Sequence, residues 1–84
     1  MTTAVTAVDD TVYVLLTAAD ALVQNTSSYP IRVIFAGSLP SVNDANYHTI
    51  DPTQAVLKSA GLPAGNIYAR SHLADRTCTV SVSI

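Results

Sequence analysis

The clearest pattern along the chain is the alternation of apolar and polar side chains over residues 77–84. Cys78, Val80, Val82 and Ile84 occupy one side of an extended chain, and only Thr and Ser residues occupy the other. Successive side chains of a β-strand point to opposite faces of the sheet. This period of two therefore predicts a strand with one buried face and one hydrated face.

Shorter apolar runs in the first third of the chain predict two further strands. Residues 11–16 form a nearly continuous apolar run, and a second run covers residues 21–25. The connection between them is short enough for a hairpin turn, so the two runs are predicted to pair. A helix over residues 18–24 is the alternative, because Ala and Leu favour helices, but it would have only about two turns.

The middle of the chain continues the same pattern. Residues 31–36 predict a strand with Ile31, Val33 and Phe35 on one face, and residues 67–70 predict another strand. Residues 37–47 lie between these runs and are rich in turn-forming residues. They are the longest irregular stretch and are predicted to form a displayed loop.

Residues 52–60 fit either a helix or a strand. Asp51 and Gln54 have the spacing of a helix-capping box, and Gly61 suits a helix end. Residues 55–57 are instead a short apolar run like those of the predicted strands. Local rules leave the two alternatives open.

Residue usage supports a β-protein. The chain has ten Val, ten Thr and no Glu, and β-branched side chains favour strands. The sequence therefore predicts an all-β fold, a small single-domain β-sandwich or barrel of six or seven short antiparallel strands, with one short helix as an option over residues 52–60. Residues 11–84 form the predicted domain, and residues 1–10 are predicted to be an N-terminal arm that becomes ordered against a partner.

The composition indicates that the chain functions within an assembly of proteins. The chain has 84 residues, enough for one domain, and only 12% of them are charged, against about 25% in an average soluble domain. A surface with few charges costs less free energy to desolvate, which favours contact with other chains.

Charge and cysteine content exclude several classes of partner. The net charge is −2, and Arg32, Lys58, Arg70 and Arg76 are scattered along the sequence, so nucleic-acid binding is not expected. No apolar run approaches the roughly 20 residues of a membrane span, and no membrane partner is expected. Cys78 is the single cysteine, which excludes an intrachain disulfide and a zinc site built on several thiolates.

Two groups of potentially reactive residues are candidates for a catalytic or metal site. Ser71, His72, Asp75 and Cys78 are close in sequence, but a polar turn without an oxyanion donor explains them better than a nucleophilic triad. A metal site would recruit His48, His72, Asp44 and Asp75, which lack a known ligand spacing. We therefore expect no enzyme activity, no catalytic or metal-ligating residue and no cofactor.

The aromatic residues give a different alternative. Tyr side chains on a β-surface can stack against sugars, so a small carbohydrate-binding module is a rival function. The chain has no Trp, however, which weakens that alternative. Tyr13, Tyr68 and Phe35 are predicted to fill the core, with Tyr29 and Tyr47 at loop edges.

The segment from residue 30 onwards has a recurrent order of motifs. It contains the strand IRVIFAG, a polar loop ending in Tyr-His-Thr-Ile, the segment Gly-Asn-Ile-Tyr-Ala-Arg-Ser and a final alternating Thr/Val/Ser strand. This order resembles small structural proteins of tailed bacteriophages.

The resemblance implies a non-enzymatic virion component assembled in the host cytoplasm, most simply a capsid decoration protein on the exterior of the head. The implied partners are the major capsid protein or other virion subunits, and the implied state is a homo-oligomer, with a trimer favoured. A tail or baseplate accessory subunit is the alternative within this class. Residues 1–10 and the loop over residues 37–47 are the expected contact regions.

Overall fold

A computed structural model describes residues 3–84, and all of the regular secondary structure in that range is β-strand. The predicted all-β fold is confirmed, with eight strands in the described range where six or seven were predicted. The strands are β1 (Thr3–Val8), β2 (Val14–Thr17), β3 (Ala21–Asn25), β4 (Ile31–Ala36), β5 (His48–Ile50), β6 (Ala55–Lys58), β7 (Asn66–Ser71) and β8 (Cys78–Ser83).

The strands form two four-stranded antiparallel sheets. The first sheet has the order β1-β8-β3-β6, and the second has the order β2-β7-β4-β5. Their inner faces share one apolar layer, so the fold is a sandwich and not a closed barrel. The inter-sheet core consists of Val8, Ala21, Val23, Ile31, Val33, Ile50, Ile67, Ala69, Cys78, Val80 and Val82, with Val14, Leu16, Phe35 and Val56 packed against it.

The last strand has the alternation that the sequence predicts. Cys78, Val80 and Val82 are buried, whereas Thr79 between them is exposed. Ile84 is the exception, because it follows the last residue of β8 and is 53% exposed.

The predicted hairpin between the first two runs is wrong. β2 belongs to the second sheet and β3 to the first, so the connection between them crosses from one sheet to the other. Both strands have an apolar inner side, Leu16 on β2 and Val23 on β3, and each inner side is buried by facing the opposite sheet. The alternative helix over residues 18–24 is also wrong, since β3 occupies most of that range.

The predicted N-terminal arm contains a strand of the domain. β1 pairs with β8 along its whole length, from Thr3 opposite Ser83 to Val8 opposite Cys78. Val8 is 1% exposed and belongs to the inter-sheet core, which holds this segment in the sheet. Met1 and Thr2 of the predicted arm lie outside the described residues.

Residues 52–60 do not form the optional helix. The capping pair closes a tight turn, in which Gln54 N–H donates to Asp51 O at 3.0 Å and Asp51 N–H donates to Gln54 Oε1 at 3.2 Å. Thr53 lies within this turn at a φ of 70°, which a continuing right-handed helix would not allow. The chain then forms β6, because pairing with β3 lets Val56 pack against the inter-sheet core.

Asn25 joins three parts of the molecule through a fully buried side chain. Its Nδ2 donates to Tyr29 O at 2.8 Å and to Ile50 O at 2.9 Å. Its Oδ1 accepts from the N–H of Ser27 at 3.0 Å and from the Ser27 hydroxyl at 2.6 Å. A buried amide with every bond made stabilises the loop before β4 and the end of β5 against β3.

Replacing Asn25 by Ala tests this role. We expect Asn25→Ala to lower the free energy of unfolding by about 2–4 kcal/mol, because it removes the hydrogen bonds of a fully buried side chain, among them the buried bond to Ile50 O. Urea unfolding followed by far-UV circular dichroism measures the change. Gln24→Ala is the control, since Gln24 is exposed and makes one long bond of 3.3 Å, and its effect should stay within about 0.5 kcal/mol. Equal stability of the two variants would contradict the role.

Candidate protein-binding surface

The outer face of the first sheet carries no charged side chain within the described residues. Directly opposite residues of an antiparallel pair point to the same side, so the register defines this face. We call it the uncharged face, and it consists of Thr3, Val5, Ala7, Leu22, Gln24, Ala55, Leu57, Thr79, Ser81 and Ser83.

Apolar side chains on the uncharged face are open to solvent. Val5 is 69% exposed, Leu22 44% and Leu57 60%. Leu22 and Leu57 lie directly opposite each other on β3 and β6. Beside this pair is a shallow groove of about 290 Å³, lined by Asp20, Ala21, Leu22, Leu57, Lys58, Ser59 and Ser83. The uncharged face itself can therefore bury aliphatic area without desolvating a charge, since Asp20 and Lys58 lie in the groove at its border.

One border of the uncharged face is the edge strand β1. An edge strand has backbone N–H and C=O groups that no neighbouring strand uses, and proteins usually protect such edges with charged residues or proline. β1 has the sequence TAVTAV and contains neither. The edge is therefore open to pairing with a strand from another chain.

The groove beside Leu22 and Leu57 ends at an ion pair between a buried lysine and a half-exposed aspartate. Lys58 is 6% exposed, and its Nζ lies 3.2 Å from Asp20 Oδ1. The same carboxylate accepts from Gly61 N–H at 3.0 Å. The bond from Gly61, followed by the bond from Lys58, lowers the pKa of Asp20 below its ordinary value of 3.8.

The outer face of the second sheet has a different character. A second apolar cluster of Tyr13, Ile34 and Tyr68 lies there, with Ala36 and Tyr47 packed against it. Tyr13 precedes β2 and Tyr47 precedes β5, so side chains from connecting segments cover this face. Tyr13 and Tyr68 are buried, as predicted, but in this outer cluster and not in the inter-sheet core, against which Phe35 packs.

The candidate residues for a nucleophilic triad have different environments and different hydrogen-bond partners. Ser71 is fully buried, and its hydroxyl donates to Leu73 O at 2.9 Å and accepts from the Cys78 thiol, with an Sγ–Oγ distance of 3.6 Å. His72 accepts a bond from Arg32 on the outer side of the second sheet. Asp75 is exposed in the following turn. The three groups do not converge on a common point.

The candidate metal ligands are also not grouped together. Within residues 3–84 no three His, Cys or Asp side chains are grouped closely enough to hold a metal ion. His48 packs edge-on against Phe35, with ring centroids 6.1 Å apart, and His72 lies 5.9 Å from the Tyr47 ring. Both histidines therefore have contacts with aromatic rings of the second sheet.

The predicted displayed loop is irregular, as expected. Residues 37–47 contain no strand, and local bonds such as Asn46 N–H to Asp44 Oδ1 at 2.9 Å hold their turns. Leu39 in this loop is 58% exposed. Its use as a contact region stays a prediction.

Sequence reasoning did not identify the uncharged face as a unit. The hydrated side of the last strand was predicted, and its Thr and Ser residues without any charge were the available signal. The neighbours of that strand come from β1 and β3, which are distant in sequence. The continuity of the face depends on this pairing.

Low pH should weaken the hydrogen bonds that the Asp20 carboxylate accepts from Gly61 and Lys58. A carboxyl whose pKa is lower in the folded than in the unfolded chain stabilises the fold above its ordinary pKa, and this stabilisation is lost as pH falls through the lowered value. We therefore expect Asp20→Asn to be less stable than the parent chain at pH 7, and the gap to narrow steadily below the ordinary pKa of 3.8. Urea titrations across pH 2–7 measure the gap, and a gap independent of pH would contradict the assignment.

Comparison with known proteins identifies no relative. No protein-family model matches the chain, and searches of curated proteins and of solved structures found no match. The part of the chain that the structure describes also contains no helix that is long and apolar enough to cross a membrane.

Proposed function

We propose that the chain is a non-enzymatic structural subunit that binds neighbouring protein chains through the uncharged face and the open edge of β1. The uncharged face is the observation that carries the proposal. Burying a charged group is costly unless it is paired, and this face avoids that cost. The exposed Val5, Leu22 and Leu57 would gain about 25 cal/mol for each Å² of apolar area removed from water.

The β1 edge would set the orientation of the partner in this contact. Main-chain hydrogen bonds along an edge strand fix the orientation of an added strand, while side chains on alternate positions contact its neighbours. Val5 lies on β1 and also belongs to the uncharged face. Edge pairing and face burial would therefore act on the same partner.

The particle that best fits this proposal is the virion of a tailed bacteriophage, with the chain as a decoration or cement protein on the exterior of the head. Support comes from the motif order after residue 30, from the low charge and from the thin two-sheet fold. A homo-oligomer, most simply a trimer, would bind the major capsid protein. Many such weak contacts would together hold neighbouring capsomers by avidity. A tail or baseplate subunit is the alternative location.

The carbohydrate-binding alternative finds less support in the aromatic residues. Tyr13 is 2% exposed and Tyr68 is 5% exposed, so neither offers a ring face to a sugar. The guanidinium of Arg32 lies 4.2 Å from the ring centroid of Tyr47, and that of Arg76 lies 5.2 Å from the centroid of Tyr29. In each of these two tyrosines an arginine occupies one face of the ring.

A pair of matched variants tests the proposal. Leu57 on β6 and Leu15 on β2 are exposed leucines, 60% and 52%, on edge strands of opposite sheets. We expect Leu57→Lys to weaken co-sedimentation with expanded phage heads that lack the chain by about tenfold or more, since about 1.4 kcal/mol corresponds to tenfold. Leu15→Lys should bind like the parent chain.

Urea unfolding of both variants provides the control for folding, and each should keep the parent midpoint. Equal binding of the two variants, or equal loss in both, would contradict a contact through the uncharged face. Failure of the parent chain to sediment with heads would overturn the decoration role. Sedimentation with purified tails instead would move the protein to the tail.

A further inference from the structure

Two arginines lie side by side on the outer face of the second sheet. Arg32 on β4 is directly opposite Arg70 on β7, and we call them the arginine pair. Like charges in directly opposite positions of a sheet repel each other. Within residues 3–84 no carboxylate lies within 4.0 Å of either guanidinium, since the single ion pair in that range joins Lys58 and Asp20. The two cations are distant in sequence, and the pairing of β4 with β7 brings them together.

Arg70 is a buried cation with no counter-charge beside it in the described part of the chain. It is 8% exposed, and its Nη1 donates to Ser71 O at 2.9 Å and to Asp10 O at 3.3 Å. Its Nε is buried and has no hydrogen-bond partner. The ring of Tyr13 lies 5.6 Å from the guanidinium carbon. An arginine does not lose its proton in a protein, so this site keeps a positive charge that its own neighbours only partly compensate.

Arg32 is held in place with its outer nitrogens free. Its Nε donates to His72 Nδ1 at 3.0 Å, and the Tyr47 ring lies 4.2 Å from the guanidinium carbon. This bond assigns the His72 proton to Nε2. The two terminal nitrogens of Arg32 make no hydrogen bond within the described residues, and the side chain is only half-buried.

We propose that the arginine pair binds a carboxylate of an acidic segment in a partner protein. The terminal nitrogens of Arg32 form a planar fork that matches the two oxygens of a carboxylate, and Tyr47 and His72 fix the plane of that fork. Arg70, directly opposite Arg32 on β7, adds positive charge to the same face. The bound carboxylate supplies the counter-charge that the chain itself does not place there.

The surroundings favour an acidic peptide over other anionic partners. Nucleic-acid binding needs a row of several cations. This site has only two adjacent arginines, and the whole chain has a net charge of −2. An acidic sugar would need an open aromatic face for stacking, and Arg32 occupies one face of Tyr47. The site lies on the sheet opposite the uncharged face, so this inference stands whether or not the proposed function holds.

Titration of the isotope-labelled full chain with a blocked hexa-aspartate peptide at low salt tests the site. Nuclear magnetic resonance can follow the Nε–H of Arg32 directly. We expect saturable shifts at Arg32 and His72, at least tenfold weaker binding for Arg32→Gln, and an intermediate loss for Arg32→Lys, which keeps the charge without the fork. Arg76→Gln is the matched control, because Arg76 also stacks on a tyrosine, and it should bind like the parent chain.

Several results would overturn the inference. They are the absence of saturable binding, an equal loss in Arg76→Gln, or tighter binding of an oligouronate or a single-stranded oligonucleotide than of the peptide. Backbone amide spectra of the variants show whether each one is folded. A folded Arg32→Gln that binds the peptide as tightly as the parent chain would also refute the site.

Discussion

One apolar layer has to hold this molecule together. The inner faces of two four-stranded sheets meet in the inter-sheet core, and the described residues contain neither a helix nor a disulfide to add a second layer. A chain of 84 residues has little remaining material to cover the outer faces. The character of those outer faces therefore follows from the side chains that the strands and the short connecting segments place there.

The two outer faces differ for this reason. The first sheet presents aliphatic, Ser and Thr side chains without a charge, and β1 leaves its edge unprotected. The second sheet is covered by Tyr13 and Tyr47 from the segments before β2 and β5, and these rings lie against the arginine pair. One face suits burial against another protein, and the other suits recognition of an anion. Polar contacts of the buried Asn25 side chain and of the half-exposed Asp20 carboxylate hold the connecting loops around both faces.

The sequence predicts single strands well and their arrangement poorly. The alternation over residues 77–84 is a local property of a strand with one buried face, and the structure has it. Pairing is not local: the runs at residues 11–16 and 21–25 both have an apolar inner side, and such a pattern fits partners in the same sheet or in opposite sheets equally well. Asp51 and Gln54 have the spacing of a helix-capping box, but in the structure their hydrogen bonds close a turn that leads into β6.

The candidate sites depend on these non-local pairings even more. Arg32 and Arg70 are neighbours only because β4 pairs with β7, and no spacing in the sequence indicates that contact. The uncharged face likewise combines β1, β8, β3 and β6. Composition indicated the low overall charge, but the concentration of charge-free positions on one sheet required the register.

Amide hydrogen exchange, measured on the free chain and on the same chain within its assembly, shows which strands the assembly covers. The account predicts that assembly slows exchange in peptides covering β1 and β6, at the two borders of the uncharged face, while peptides covering β2 are unchanged. Slower exchange confined to β2 and β5, with β1 and β6 unaffected, would contradict it.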